Sequence, residues 1–260
     1  MKFKQAFQYQ LKRGLSLLGW TYLCVLIAVT IVPLLITTLM GRISTIQVSD
    51  FLPSGILEFA ILLFLIFYSV LPYDGFQFMI QNGVGRKTYF YARTLTTCVL
   101  ALFGCIVSVI YNFAISPFNS EALSNDLFGM REMYAHFFSN ALVGNMVSFI
   151  VWVLFTICMA ASWTLAGSIL SLFDRRIQVA LVIGVPIVFF IAATVVSGLN
   201  VDGPVRMTWI GNIVYWIAGE NKATDLGTYN PFQPLFAGVV YALVVFGGSY
   251  FFNLKLKTPR

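Results

Sequence analysis

Uncharged residues fall in long runs along this chain, and the runs predict its architecture. Five lie between Arg13 and Arg42, Arg93 and Glu121, His136 and Asp174, Arg176 and Asp202, and Asp225 and Lys255. Each is long enough for a bilayer-crossing helix, which needs about 20 apolar residues. A sixth, shorter run from Ile56 to Pro72 (ILEFAILLFLIFYSVLP) carries Glu58 near one end, where a carboxylate can reach headgroup water. Trimmed to their apolar limits, the runs predict six spans over 15–40, 56–79, 94–115, 143–173, 177–199 and 235–252. Helices are required, because an open sheet edge in lipid leaves backbone groups without partners. The expected fold is an all-α membrane protein with a single transmembrane domain over 1–260. Pro33 and Pro186 fall inside the first and fifth spans, where a missing backbone donor predicts a bend.

Two further segments are apolar on one side but too short to cross. Residues 2 to 13 (KFKQAFQYQLKR) place Phe3, Phe7 and Leu11 at helical spacing, with Lys2, Lys4, Lys12 and Arg13 off that stripe. This predicts a basic amphipathic helix over 1–13, lying on the cytoplasmic leaflet before the chain turns into the membrane. Residues 205 to 218 (VRMTWIGNIVYWIA) place Met207, Ile210, Ile213, Val214 and Ile217 on one face. Trp209, Tyr215 and Trp216 add the rings favoured at headgroup level, so an outer interfacial or re-entrant helix is expected between spans five and six.

Composition narrows the function. Of 260 residues 59% are hydrophobic and 10% charged, against about a quarter charged in a soluble domain. That excludes a water-soluble globule, and a net charge of +6 spread so thinly does not make a nucleic-acid-binding surface. The basic residues report orientation instead. Twelve of the sixteen Lys and Arg lie in the amino-terminal segment, in the loop after span two, in the turn after span four and in the tail. Only Arg42, Arg131, Arg206 and Lys222 lie in the alternate loops. By the positive-inside rule, both termini are expected in the cytoplasm of a cell-membrane protein. The first apolar stretch is too long for a cleaved signal peptide and lacks a small-residue cleavage site. Cys24, Cys98, Cys105 and Cys158 all fall within spans and are expected to pack as small apolar side chains.

The cytoplasmic loop from Asp74 to Arg93 (DGFQFMIQNGVGRKTYFYAR) is the most informative segment. Gly83 and Gly85 permit a tight turn, Arg86 and Lys87 follow at once, and Tyr89, Phe90 and Tyr91 lead into span three. The fragment GRKT is not a phosphate-binding loop, since that motif needs glycine where Gln81 and Arg86 stand. The order of parts resembles the membrane-spanning permease subunit of a type-2 ATP-binding-cassette (ABC) exporter. There, a cytoplasmic amphipathic helix precedes six spans, and an acidic residue lies near the inner end of helix two. A turn ending in a small residue and Arg then leads through a short coupling helix to helix three. Asp74 matches the acidic residue, although Glu is more usual there; Gly83 to Arg86 (GVGR) matches the turn, and Arg93 the basic residue before helix three. The resemblance implies a coupling loop over 80–93, with Asp74, Asn82, Gly83, Gly85, Arg86, Lys87 and Arg93 contacting a separate ATPase subunit. It further implies a second permease copy or paralogue completing the pathway, and ATP with magnesium on the partner ATPase rather than on this chain.

Other classes have less support in the residues. A proton- or sodium-driven transporter usually needs ionisable groups within its spans, and only Glu58 and Asp74 come near. A substrate-binding membrane subunit of an uptake system is a second six-helix alternative. An intramembrane zinc protease would need a spacing such as HExxH, whereas the single histidine, His136, lies in an outer loop. Ser162 with Ala166, and Gly104 with Ser108, form small-x-x-x-small pairs that predict close helix contacts. The scarcity of intramembrane charge favours an apolar or amphipathic cargo such as a peptide, lipid or drug.

Overall fold

The computed structural model describes residues 2–40, 53–70, 73–118, 133–134, 137–174, 176–180, 184, 208–220 and 229–255. Its main elements are helices α1 (Lys2–Leu39), α2 (Ile56–Val70), α3 (Tyr73–Gln81), α4 (Arg86–Ile115), α5 (Ala141–Leu170), α6 (Thr208–Ala218) and α7 (Phe232–Leu254). Among the described residues there is no strand. By length and composition α1, α4, α5 and α7 can each cross a membrane, and α2 with α3 makes a fifth candidate if the bent pair is one span. The bend is 49°, so the expected straight helix over 56–79 is replaced by two segments. Pro72, between them in sequence, has no backbone N–H to continue the ladder. Of the expected span over 177–199, residues 177–180 and 184 are helical and the others, with Pro186, lie outside the described residues.

The expected separate amphipathic helix over 1–13 is instead the first turns of one 38-residue helix, α1, which also runs through Pro33. At 1.5 Å per residue that helix is about 57 Å long, well beyond the roughly 30 Å of a hydrocarbon core. Gly14, between the two expected elements, serves close packing: a Cβ there would sit 2.5 Å from Leu100 Cδ1 on α4. The buried stripe is Ala6, Gln10, Gly14, Leu18 and Tyr22, one position off the Phe3, Phe7 and Leu11 stripe. From Leu23 onward α1 contributes no buried residue.

At the centre of the bundle, α2 packs against α1, α4 and α5, while α4 also meets α7 and α3. Leu18 and Tyr22 of α1, Ile61 and Leu65 of α2 and Leu100 of α4 share one core. Small residues set how closely these helices approach. Gly104 of α4 leaves room for Ile61, and its carbonyl accepts the Tyr22 hydroxyl at 3.1 Å, so this small pair joins helices of one chain. Ser162 of the second pair lies 2.8 Å, hydroxyl to hydroxyl, from Tyr241 on α7. Pattern reading passed over Gly167, where a Cβ would lie 2.9 Å from Val70 Cα and 3.0 Å from the Ser69 carbonyl. Farther along the same α5–α7 seam, Asn253 Nδ2 donates to Ser168 Oγ at 2.7 Å, and Ser168 pairs with Ser249 at 3.1 Å.

Hydrogen bonds bring the beginnings of α1 and α4 together with the ends of α2, α5 and α7, which places Lys2, Arg86, Arg93 and Lys255 at one end of the bundle, here called the basic end. At the far end, Glu58 does not reach outward as expected. It is buried, and Asn112 Nδ2 donates to its carboxylate at 3.0 Å. Its place in the first turn of α2 also sets the negative charge against the positive end of the helix dipole. α6 ends at Gly219 (φ 85°), with Gly219 N–H donating to the Trp216 carbonyl and Glu220 N–H to the Tyr215 carbonyl. The Tyr134 hydroxyl donates to the Ala218 carbonyl at 2.9 Å, and burial pushes that phenol up to about 12, so it stays a neutral donor at physiological pH. This helix falls within residues 205–218, the range of the expected outer interfacial or re-entrant helix, and Ile213, Val214, Tyr215, Trp216 and Ile217 are all exposed.

Because the neighbours of Gly167 are backbone atoms, Gly167→Ala should lower stability by about 1–3 kcal/mol. Gly247→Ala, with open space around the new methyl, should not lower it. Thermal unfolding of both variants in a mild detergent checks the contrast.

Candidate functional site

The loop singled out in the sequence closes itself with backbone bonds. Val84 N–H donates to the Met79 carbonyl at 3.0 Å and Gly83 N–H to Ile80 at 2.9 Å. With Gly83 at φ 73°, this is a Schellman cap on α3, a conformation that a side chain at position 83 would strain. Val84 and Met79 are both buried in the small core beneath, which also holds Ala6, Phe76, Tyr89 and Ala92. Gly85 then starts α4 in an extended conformation, with no side-chain cap. The short helix therefore precedes the turn, and α4 runs from Arg86 straight into the bundle.

The predicted residues divide into two groups. Asn82, Gly83, Gly85 and Lys87 are exposed at the tip. Arg86 and Arg93 point into the fold. Arg86 Nη1 donates to the Leu254 carbonyl at 2.8 Å, supplying a cation to the last turn of α7. Arg93, only 7% exposed, donates from Nη2 to the carbonyls of Tyr68 and Ser69 and from Nη1 to the Tyr89 hydroxyl at 3.0 Å. Its guanidinium carbon also lies 5.2 Å from the Tyr68 ring centroid. The acceptors are carbonyls of the last turn of α2, and Pro72, four residues on from Tyr68, has no N–H to offer. Lys2 Nζ completes the set by donating to the Gly83 carbonyl at 2.8 Å. Asp74 stands in α3, but its side chain lies outside the described residues, as does His136.

Behind the turn a cleft of about 390 Å³ opens between α1, α2, α3 and α4. Gln10, Arg13, Tyr68, Tyr89 and Arg93 line one part, and Leu17, Phe64 and Phe67 line another. Neither charge nor motif marks Gln10 or Tyr68 in the sequence, and Tyr89 stands out there only as one of the aromatic residues leading into span three. The seven-residue spacing of Arg86 and Arg93, which puts both on one side of α4, was the available signal. Its meaning depended on which helix ends lie opposite.

No protein-family model, curated protein or solved structure matches the chain. Its site is therefore read from geometry. The arrangement offers a rigid, exposed, cationic turn joined through two arginines to the ends of two other helices, and a cleft behind it that is basic on one side and aromatic on the other.

The two arginines should differ in weight. Arg93→Met, which leaves two backbone carbonyls and a buried hydroxyl without their donor, should cost about 2–3 kcal/mol. Arg86→Met should cost about 1 kcal/mol. Denaturation midpoints of the purified variants, compared with the parent chain, measure the difference.

Proposed function

We propose that the chain is the permease subunit of an ABC exporter, driven by a separate ATPase and forming a pathway for an apolar or amphipathic substrate such as a peptide, lipid or drug. In this reading six helices span the cell membrane, with both termini and the α3–α4 turn in the cytoplasm. A second copy or a paralogue completes the pathway, and ATP with magnesium binds on the partner ATPase.

The observation that carries the reading is the mechanical connection of the turn. A force applied at Asn82, Gly83, Gly85 or Lys87 passes through α4 itself and through Arg86 and Arg93 to the ends of α7 and α2. Lys2 adds α1. Closure of an ATPase on the tip would therefore move several helices together. Coupling requires only that the ATPase contact the turn differently in its two nucleotide states. Of the residues expected at that contact, Lys87 and Asn82 present exposed side chains to it, while Arg86 and Arg93 act as links behind it.

Purification from native membranes should bring down a protein carrying a phosphate-binding loop. Lys87→Glu should leave insertion and thermal stability unchanged and lower substrate-stimulated ATP hydrolysis at least about threefold. A chain that transports alone, without ATP, would overturn the reading.

One observation favours a second reading, a secondary transporter driven by an ion gradient. Glu58 is a buried carboxylate at a membrane helix, held by Asn112, and such groups commonly mark ion pathways. Under that reading Glu58→Gln abolishes gradient-driven uptake into vesicles. Under the exporter reading it changes stability but leaves ATP-driven transport in place.

A further inference from the structure

We propose that the cleft between α1, α2, α3 and α4 binds an anionic phospholipid, with the phosphate head at Arg13 and Gln10 and one acyl chain leaving past Leu17 and Phe67. The site would hold lipid as a bound component of the fold, independently of any transport pathway and of the exporter reading.

Three observations converge on that ligand. First, the two sides of the cleft differ in chemistry. Arg13 is exposed at the mouth and Arg93 stands in the wall, whereas Leu17 and Phe67 are large, apolar and themselves exposed beside the opening. A ligand that fits both must be charged at one end and apolar at the other. Second, Gln10 is 92% buried in the cleft wall on a helix face otherwise made of Ala6, Gly14, Leu18 and Tyr22, and neither its amide nitrogen nor its amide oxygen has a hydrogen-bond partner among the described residues. Arg93 Nε is likewise without one. Burying unpaired amide groups is costly, so a partner is expected. A rotation of the flexible Gln10 side chain lets its amide donate to a phosphate oxygen while its carbonyl accepts from a head-group hydroxyl. A phosphoglycerol head supplies both; a phosphocholine head has no donor. Third, the volume of about 390 Å³ lies in the range of small-ligand sites, about 300–1,000 Å³, and the cleft is open at the side. It holds a head group and the first part of a chain, and the rest lies along the exposed apolar surface of α1 and α2.

The position agrees with this chemistry. The cleft lies at the basic end, beside Tyr9, whose ring stacks on Phe78 of α3 at 5.5 Å. Aromatic rings and basic side chains at that level are the usual neighbours of lipid head groups.

The test uses the full chain in a neutral detergent, freed of lipid by extensive washing, with thermal unfolding and native mass spectrometry as readouts. Added phosphatidylglycerol should raise the unfolding temperature and remain bound in the gas phase, and phosphatidylcholine should do neither. Arg13→Gln should weaken phosphatidylglycerol binding by about tenfold, the loss expected for one charge-assisted hydrogen bond. Gln10→Leu should also weaken it while stabilising the lipid-free protein, because the unpaired amide is gone; a variant destabilised without lipid would mean that Gln10 has another structural task and would count against the site. Equal stabilisation by both lipids, or binding unaffected by Arg13→Gln, would overturn the proposal. So would an equal effect from inorganic phosphate, since the apolar half of the cleft would then have no role.

Discussion

A helix that ends inside a protein leaves carbonyl groups pointing along its axis with no N–H to meet them, and most of this structure depends on how that is resolved at the basic end. The ends of α2 and α7 both face the beginning of α4. Their last carbonyls accept hydrogen bonds from Arg93 and Arg86 of that one helix. The macrodipoles of α2 and α7 add a favourable field at each cation. Burial makes the Arg93 interaction the stronger of the two, because water does not compete for either partner. The position of α4 thus determines where two other helices stop, and the turn before α4 inherits that rigidity.

Packing elsewhere follows a different rule. Apolar helices gain nothing from leaving lipid for one another, so close contact and shared hydrogen bonds have to hold them together. Gly104 and Gly167 bring α4 and α5 against α2, and hydroxyl and amide groups from Ser168, Ser249 and Asn253 join α5 to α7. The two devices complement each other. Glycines let the backbones approach, and the small polar side chains fix the register at which they do so.

Much of the helical layout was legible in the sequence because charge is so costly in hydrocarbon that gaps between charges mark helices. The limits expected for the spans at 143–173 and 235–252 differ from α5 and α7 by only two or three residues at each end. Boundaries went wrong where no charge marked them. Nothing between Arg13 and Leu15 breaks a helix except Gly14, and whether a glycine breaks a helix or admits a neighbour is decided by Leu100, distant in sequence. The turn at Gly83 was legible from glycine alone. The roles of Arg86 and Arg93 were not, since a basic residue next to a loop looks the same whether it faces water or a helix end on another part of the chain. Glu58 failed for a similar reason. Its depth in the fold depends on Asn112, which carries no charge to announce it.

The Schellman turn has a consequence for how such a chain can change over time. Its closure uses backbone N–H groups, one glycine and two buried apolar side chains, Met79 and Val84. Of the exposed side chains of Asn82 and Lys87, Asn82 adds one bond of its own, from Nδ2 to the Phe78 carbonyl at 2.7 Å, beside the backbone bonds that close the turn. Those positions can be replaced, lengthened or relabelled while the turn keeps its shape. Recognition written on the tip is therefore free to diverge between descendants of this chain without any of them having to rebuild the bundle underneath.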